Sequence, residues 1–113
     1  LITSLADSGT GSLRDAMLSA QDGDLFFFDP SLSGTITLES DLPSIAASYS
    51  IQGPTNDAIT IDGSSLYQIF MVDSGMPTIS HLQLVNPNPA SGGAVHLQAG
   101  ANLNLIDISI TQN

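Results

Sequence analysis

The chain has 113 residues, 42% of them hydrophobic, which is enough for one domain with one core. Eleven acidic residues stand against a single basic one, Arg14, and the net charge of -10 argues against nucleic acid and anionic lipid as partners, since both are bound by lysine and arginine. The absence of cysteine excludes disulfides and thiolate zinc sites, and no apolar run approaches the roughly 20 residues of a membrane-spanning helix, so the chain is not expected to be embedded in a membrane.

The first predicted element is a helix over about residues 12–21. Ser12 suits the N-cap, Asp15 suits the acidic position of a capping box, and Gly23 suits the C-terminal stop. Apolar residues recur at the spacing of one helix face, at Leu13, Ala16, Met17 and Ala20. Because a helix this short is marginal alone, we expect that face to pack on the rest of the fold.

Short aliphatic strand signals follow the helix. Leu25–Phe28 predicts a buried strand and Thr35–Leu38 a second one. From residue 49 only strand and turn signals remain, and the strands are predicted at Tyr49–Ile51, Ile59–Ile61, Ile69–Val72, Ile79–Leu84, Ala94–Leu97 and Leu103–Ile110.

Turn residues separate these strands. The corners are marked by Gly53-Pro54, Asp62-Gly63, Ser74-Gly75 and Gly92-Gly93. At such corners we expect backbone conformations that glycine adopts more easily than other residues. The proline-containing segment 86–91 is predicted to be a loop that leaves the coil, since proline cannot donate to a central ladder.

Two of the strand signals repeat each other. Ile79, Leu82 and Leu84 superpose on Leu105, Ile108 and Ile110 with one constant offset of 26 residues. That is a plausible length for one turn of a β-solenoid. An antiparallel sandwich is the competing fold, because it also has short strands. A sandwich does not require like residues to stack, and its tight hairpins favour Asn-Gly and Asp-Gly pairs, which these corners mostly lack.

We therefore predict an all-β fold, a right-handed parallel β-helix (solenoid) with a short N-terminal capping α-helix. Residues 1–48 are assigned to the cap and residues 49–113 to the first coils. Strand signal continues almost to Asn113 without a polar capping element. We expect the solenoid to continue beyond it, with an exposed last coil that could associate end to end.

The order of the motifs resembles the N-terminal region of secreted bacterial right-handed parallel β-helix proteins, including the passengers of polymorphic outer-membrane autotransporters. The residues that carry the resemblance are Asp7–Gly9, Gly11–Met17, Phe28–Leu32, Thr35–Leu38, Ile61–Gly63, Thr78–Leu82 and Gly92–Val95. Gly92–Val95 matches the Gly-Gly-Ala-aliphatic tetrapeptide of the polymorphic membrane protein repeats, whereas Phe70–Asp73 matches their Phe-x-x-Asn tetrapeptide only in part. The resemblance implies that the helix-bearing segment caps the solenoid, and that the protein is secreted or on the cell surface. It also implies that a host-cell or surface protein or glycan could be the partner.

Few residues suggest chemistry. His81 and His96 are the only histidines, and both are expected to face solvent from strands. Asp62, Asp73 and Asp107 lie near strand ends and could hold calcium if they stacked, but no calcium-binding loop motif accompanies them, so turn formation is the expected role.

Two asparagines complete the candidate residues. Asn86 and Asn113 each follow a strand signal, and we predict that they form amide ladders between coils rather than a recognition site.

A pectate-lyase-like enzyme that binds or cleaves carbohydrate is the alternative interpretation. It would need clustered acids and usually a basic group, but Arg14 is the only permanent cation and lies in the predicted helix. The acidic surface would also repel a polyacidic sugar, although neutral sugars remain open. We therefore predict a non-catalytic structural segment with no catalytic residue, cofactor or metal.

Overall fold

One helix and ten short strands form the described part of the chain. The computed structural model describes residues 2–55, 58–87 and 94–111. Helix α1 spans Leu13–Leu18. The strands are β1 (Leu25–Phe27), β2 (Gly34–Thr37), β3 (Ser50–Gln52), β4 (Ile59–Asp62), β5 (Phe70–Val72), β6 (Thr78–Ser80), β7 (Gln83–Val85), β8 (Val95–Leu97), β9 (Asn104–Ile106) and β10 (Ser109–Thr111).

The strands wind into a parallel β-solenoid of about three turns. Sheet 1 has the order β1-β3-β6-β9, sheet 2 the order β2-β4-β7-β10, and sheet 3 pairs β5 with β8. Each pairing joins strands of successive laps and is parallel. An isolated parallel bridge from Ile45 to Val72 extends sheet 3 into the first lap. The parallel β-helix with a short N-terminal helix is thus confirmed.

Aliphatic side chains pile up in columns inside the solenoid. In sheet 1, Ile51 pairs with Ile79, and Ile79 pairs with Leu105. In sheet 2 the column consists of Ile36, Ile61, Leu84 and Ile110. The predicted 26-residue offset is therefore the length of the last lap, from Ile79 to Leu105 and from Leu84 to Ile110, whereas paired residues of the earlier laps lie 23 to 28 residues apart. Burying each aliphatic side chain contributes about 1.5–3 kcal/mol.

Two segments predicted as single strands are each divided in two. Ile79–Leu84 is split between β6 and β7 by His81, and Leu103–Ile110 is split between β9 and β10 by Asp107. Both dividing residues have left-handed backbone conformations, with φ of 57° and 53°. The chain turns from sheet 1 to sheet 2 there within two residues, which is why the apolar pattern gave no sign of a break.

The first strand is not buried as predicted. In β1, Leu25 is 53% exposed and Phe27 is 45% exposed. Phe26 packs against the core, and its ring forms an edge-to-face contact with the Tyr49 ring, with 5.7 Å between the ring centroids. Burial raises the pKa of the Tyr49 phenol to about 12. A run of apolar residues in this solenoid therefore places alternate side chains on the outer surface, because successive strand residues point to opposite faces.

Helix α1 is shorter than the predicted 12–21. Ser12 is the N-cap, and its Oγ accepts a hydrogen bond from the Asp15 amide at 3.2 Å. The helix ends at Leu18, and Gly23 lies beyond it in a turn with φ of 86°. Leu13 and Met17 are buried in the core of the solenoid, and Ala16 and Ala20 pack against that core. The predicted apolar face is therefore the one that meets the coils.

Some predictions fall outside the described residues. These are the Gly92-Gly93 corner, most of the predicted loop 86–91, of which only Asn86 and Pro87 are described, and Asn113. In the ranges that the structure describes, no helix has the length and apolarity to cross a bilayer.

Candidate functional site: a groove along one corner

The corner between sheet 1 and sheet 2 changes in shape along the solenoid. In the first two laps the chain crosses it between Phe27 and Gly34 and between Gln52 and Ile59, six residues in each case. In the last two laps it crosses in the two-residue turns 81–82 and 107–108. Because long loops give way to tight turns, a depression forms beside the loops, and we call it the corner groove.

The corner groove consists of two adjoining pockets that share Thr55. The first has a volume of about 380 Å³ and is lined by Phe27, Phe28, Pro30, Gln52, Gly53, Pro54 and Thr55. The second has a volume of about 320 Å³ and is lined by Thr55, His81, Leu82, Gln83, Asp107, Ile108 and Ser109. The first half therefore offers apolar rings, and the second offers polar side chains.

Gly53 allows the third lap to pass close over the second. A Cβ atom at Gly53 would lie 2.0 Å from the His81 carbonyl oxygen. The Gly53 amide donates to the Ser80 carbonyl at 2.8 Å. Gly53 is thus required because there is no space for a side chain. The sequence analysis instead predicted glycine at the corners for its backbone conformation. That reason does apply at Gly75, where φ is 86°.

His81 and Asp107 occupy equivalent positions in successive laps and face each other. His81 Nδ1 lies 3.5 Å from Asp107 Oδ2, with side-chain exposures of 21% and 70%. The His81 amide donates to the Ile106 carbonyl at 2.9 Å, which fixes the corner backbone. The expectation that His81 projects from a strand is therefore wrong. The left-handed backbone conformation of His81 itself ends β6 at Ser80, so His81 is a corner residue. His96 does lie in a strand, β8, half-buried and in register with Met71.

Loop 28–33 at the edge of the corner groove is held by a local turn. Asp29 Oδ1 accepts hydrogen bonds from the Ser31 amide and hydroxyl, both at 2.9 Å. The backbone bond, followed by the side-chain bond, lowers the pKa of the Asp29 carboxyl. These bonds fix the loop that carries Pro30.

The three aspartates considered as a calcium site lie on different corners. Asp62 ends a strand of sheet 2, Asp73 follows a strand of sheet 3, and Asp107 lies between sheets 1 and 2. Asp62 Oδ1 accepts from the Ser64 amide at 2.7 Å, as a turn-forming acid does. Among the residues that the structure describes, no three His, Asp or Glu side chains are placed to hold a metal ion.

Asn86 contacts an acid one lap earlier. Its Nδ2 lies 3.2 Å from Asp62 Oδ1 and donates to it. The amide ladder predicted from the sequence would join Asn86 to Asn113 of the following lap, which lies outside the described residues, so that prediction stays a prediction.

Arg14 has a role that sequence reasoning missed. Its guanidinium donates to the carbonyl and carboxylate of Asp7, at 3.0 and 2.8 Å, and to the carbonyls of Ser40, at 2.9 Å, and Asp41. Asp7 Oδ1, the carboxylate oxygen that accepts from Arg14, also accepts from the Glu39 amide at 2.9 Å. Arg14 thus ties α1 to the segment after β2, and the only signal in the sequence was a lone arginine in an acidic chain.

The described lining of the corner groove is mostly apolar and neutral. Asp107 is the only carboxylate among its described lining residues, whereas hydrolysis of a glycoside by an acid pair requires two. The lining residues that the structure describes include no lysine or arginine, so none of them would hold an anionic group by a permanent positive charge. What it offers is apolar contact and neutral hydrogen bonding around one exposed carboxylate.

No family model, curated protein or solved structure matches this chain. The protein is therefore classed by its fold alone, as a parallel β-solenoid with an N-terminal helix.

Proposed function

We propose that this chain is a non-catalytic cap and coil segment of a secreted or surface-displayed bacterial β-helix protein, similar to an autotransporter passenger or adhesin. Its role is structural and presentational. The helix closes one end of the solenoid, and the coils form a stiff support for the loops and turns at the corners.

The difference between the two ends of the solenoid supports this proposal most directly. At the first-lap end, Leu13 and Met17 of α1 are 1% and 6% exposed. At the last-lap end, Leu105 and Ile110 are 41% and 48% exposed, although both continue columns that are fully buried in earlier laps. A helix that covers core side chains at one end is what a cap must do, since uncovered strand edges pair with other chains.

Parallel ladders supply the stiffness that a presenting segment needs. Each lap is bonded to the next on sheets 1 and 2 and, in part, on sheet 3. Terminal caps are required for the solubility of repeat proteins, because each repeat contacts only its neighbours. The connections at the corner between sheets 1 and 2 differ in length from lap to lap, as binding loops on rigid scaffolds do.

The capping role is tested by exposing the covered end without removing the helix. In the double variant Leu13→Ser/Met17→Ser, we expect oligomers larger than those of the wild type, measured by size-exclusion chromatography with light scattering. Leu18→Ser is the matched control, because Leu18 lies on the same helix and is 70% exposed. Deletion of residues 1–23 should have the same effect as the double variant. A deletion product that is monomeric and melts cooperatively would rule out the cap.

Surface display is tested separately on cells of the source organism. An antibody raised against the folded chain should label intact cells or the culture medium, and protease treatment of intact cells should remove the cell-bound signal. Signal found only after the cells are opened would contradict the proposed location.

A further inference from the structure

We propose that Asp22 is a site of slow, uncatalysed isoaspartate formation, and that this modification loosens the junction between α1 and β1. The inference goes beyond the capping role, because it concerns a covalent change in the chain itself. It rests on a comparison within the molecule. The sequence contains the Asp-Gly pairs Asp22-Gly23 and Asp62-Gly63, and the fold places them in opposite surroundings.

The reaction joins an aspartate side chain to the backbone of the next residue. The Gly23 backbone nitrogen attacks the side-chain carboxyl carbon of Asp22, and the amide proton and the carboxyl hydroxyl leave as water. The product is a cyclic succinimide. Water then adds back and breaks a bond from the ring nitrogen to one of its two carbonyl carbons. Rupture at the side-chain carbon restores aspartate, and rupture at the main-chain carbon leaves isoaspartate, so no other reactant is needed. Glycine favours the reaction, because no side chain crowds the attacking nitrogen or restricts the backbone.

Asp22-Gly23 lies in an exposed turn. The Asp24 amide donates to the Gln21 carbonyl at 3.1 Å, and Gly23 has a φ of 86°, as the third residue of a type II turn does. Asp22 and Gly23 are both exposed. Among the described residues, other than the chain neighbours of Gly23, no atom lies within 4 Å of the position that a Gly23 Cβ would occupy. The turn can therefore change its conformation without displacing the rest of the fold.

Ser48 contacts both of the groups that must react. Its amide donates to Asp22 Oδ1 at 2.7 Å, and its carbonyl accepts from the Gly23 amide at 3.0 Å. The carboxyl group and the attacking nitrogen therefore lie beside the same residue. Both bonds must open before the ring can close, but Ser48 is itself exposed, so water can replace them at low cost.

Asp62-Gly63 consists of the same two residues in a closed environment. The peptide that joins them is bonded to the laps on both sides, because the Asp62 carbonyl accepts from the Leu38 amide and the Gly63 amide donates to the Val85 carbonyl, both at 2.9 Å. Gly63 is buried, and a Cβ there would lie 2.7 Å from two backbone carbonyl oxygens. Ring closure would have to break both ladder bonds in a space without room, so we expect Asp62 to be protected.

Isoaspartate at position 22 would change the contacts of the junction. The main chain gains one methylene group and the side chain loses one, so the turn no longer presents its carboxylate and its amide to Ser48 together. These two bonds connect the segment between α1 and β1 to the residue two before β3. Their loss would lower the thermal midpoint of the modified protein.

The rates are measured on the full chain in the isosteric variants Asp22→Asn and Asp62→Asn, which keep the acceptor at Oδ1. An asparagine forms the same succinimide with loss of ammonia, and whole-protein mass spectrometry records the gain in mass. Each variant is incubated folded and unfolded in urea, and the ratio of the two rates is the protection of that site. We expect protection below about tenfold at Asp22 and above about a hundredfold at Asp62. The wild type gives the background from the other asparagines, none of which precedes a glycine.

The unaltered protein tests the modification and its effect on stability. After incubation of the folded wild type at mildly acidic pH, electron-transfer dissociation of its peptides should locate isoaspartate at Asp22 and not at Asp62. The aged protein should melt at a lower temperature than the fresh protein, measured by circular dichroism. Asp22→Glu is the matched control, because its longer side chain does not form this ring, and it should melt alike before and after incubation.

Three results would overturn the inference: equal protection of the two sites, isoaspartate at Asp62 but not at Asp22 in the folded wild type, or an aged wild type that carries isoaspartate at Asp22 and melts like the fresh protein. The peptide analysis of the wild type decides the outcome even if a variant does not fold.

Discussion

At Arg14, the planar guanidinium reaches four acceptors on two separate segments, around Asp7 and around residues 40–41. The side chains of Arg14 and Asp7 are only 13% and 8% exposed, so water cannot replace these contacts easily. A lysine would keep the charge but would lose the fork of donors that satisfies several oxygens at once. The geometry of the group, and not only its charge, therefore holds α1 on the first coil.

We expect Arg14→Lys to lower the free energy of unfolding by about 1–3 kcal/mol, because buried acceptors around Asp7 lose their donors. Urea unfolding followed by circular dichroism measures the change. Asp15→Glu, at an exposed position of the same helix, should change it by less than about 0.5 kcal/mol. An unchanged urea midpoint for Arg14→Lys would show that the contacts around Asp7 are not needed for stability.

At the scale of the element, the strands are short because each spans one side of the solenoid before the chain turns. The tight turns at His81 and Asp107 contain a single left-handed residue each, whereas the earlier laps use loops at the same corner. Stability comes from the columns that join the laps, since most described strands have only three residues and cannot be stable alone.

The sheet 2 column allows one chemical change to be compared at two depths. Ile61 is fully buried, whereas Ile110 in the same column is 48% exposed. We expect Ile61→Ala to cost about 2–5 kcal/mol, because it leaves a cavity between laps. Ile110→Ala should cost less than about 1.5 kcal/mol, because much of its side chain is already in water. Urea unfolding measures both, and equal losses would mean that the column does not carry the stability of the fold.

At the scale of the whole molecule, the net charge is strongly negative. Ten net negative charges lie on a protein with a radius of gyration of 12.6 Å. Two ion pairs are formed in the described residues, one by Arg14 and one by His81 if it is protonated. Repulsion between carboxylates therefore outweighs attraction, and it opposes the compact state.

Salt should accordingly stabilise this protein. Between 10 mM and 500 mM NaCl, the range over which screening shortens from about 30 Å to a few ångströms, we expect the thermal midpoint to rise by several degrees. Differential scanning calorimetry measures it. The double variant Asp15→Asn/Asp73→Asn, with two fewer charges, should show a smaller rise. A midpoint that falls with salt would mean that attractive pairs dominate.

The sequence by itself determined the class of fold and the buried face of the helix. The 26-residue repeat and the spacing of Leu13 and Met17 can be read from the sequence, because the position of a residue along a strand or helix determines the face on which its side chain lies. It did not determine the limits of the strands, because a two-residue corner such as 81–82 leaves the apolar pattern intact.

Only the tertiary structure decided the corner groove, the pairing of His81 with Asp107 and the contacts of Arg14. Each depends on residues brought together by the winding of one lap over another, and on loops whose lengths differ between laps. Local patterns record which way a side chain points, but not which side chain from another lap it will meet. That contact is set by the register between laps, a property of the folded coil as a whole.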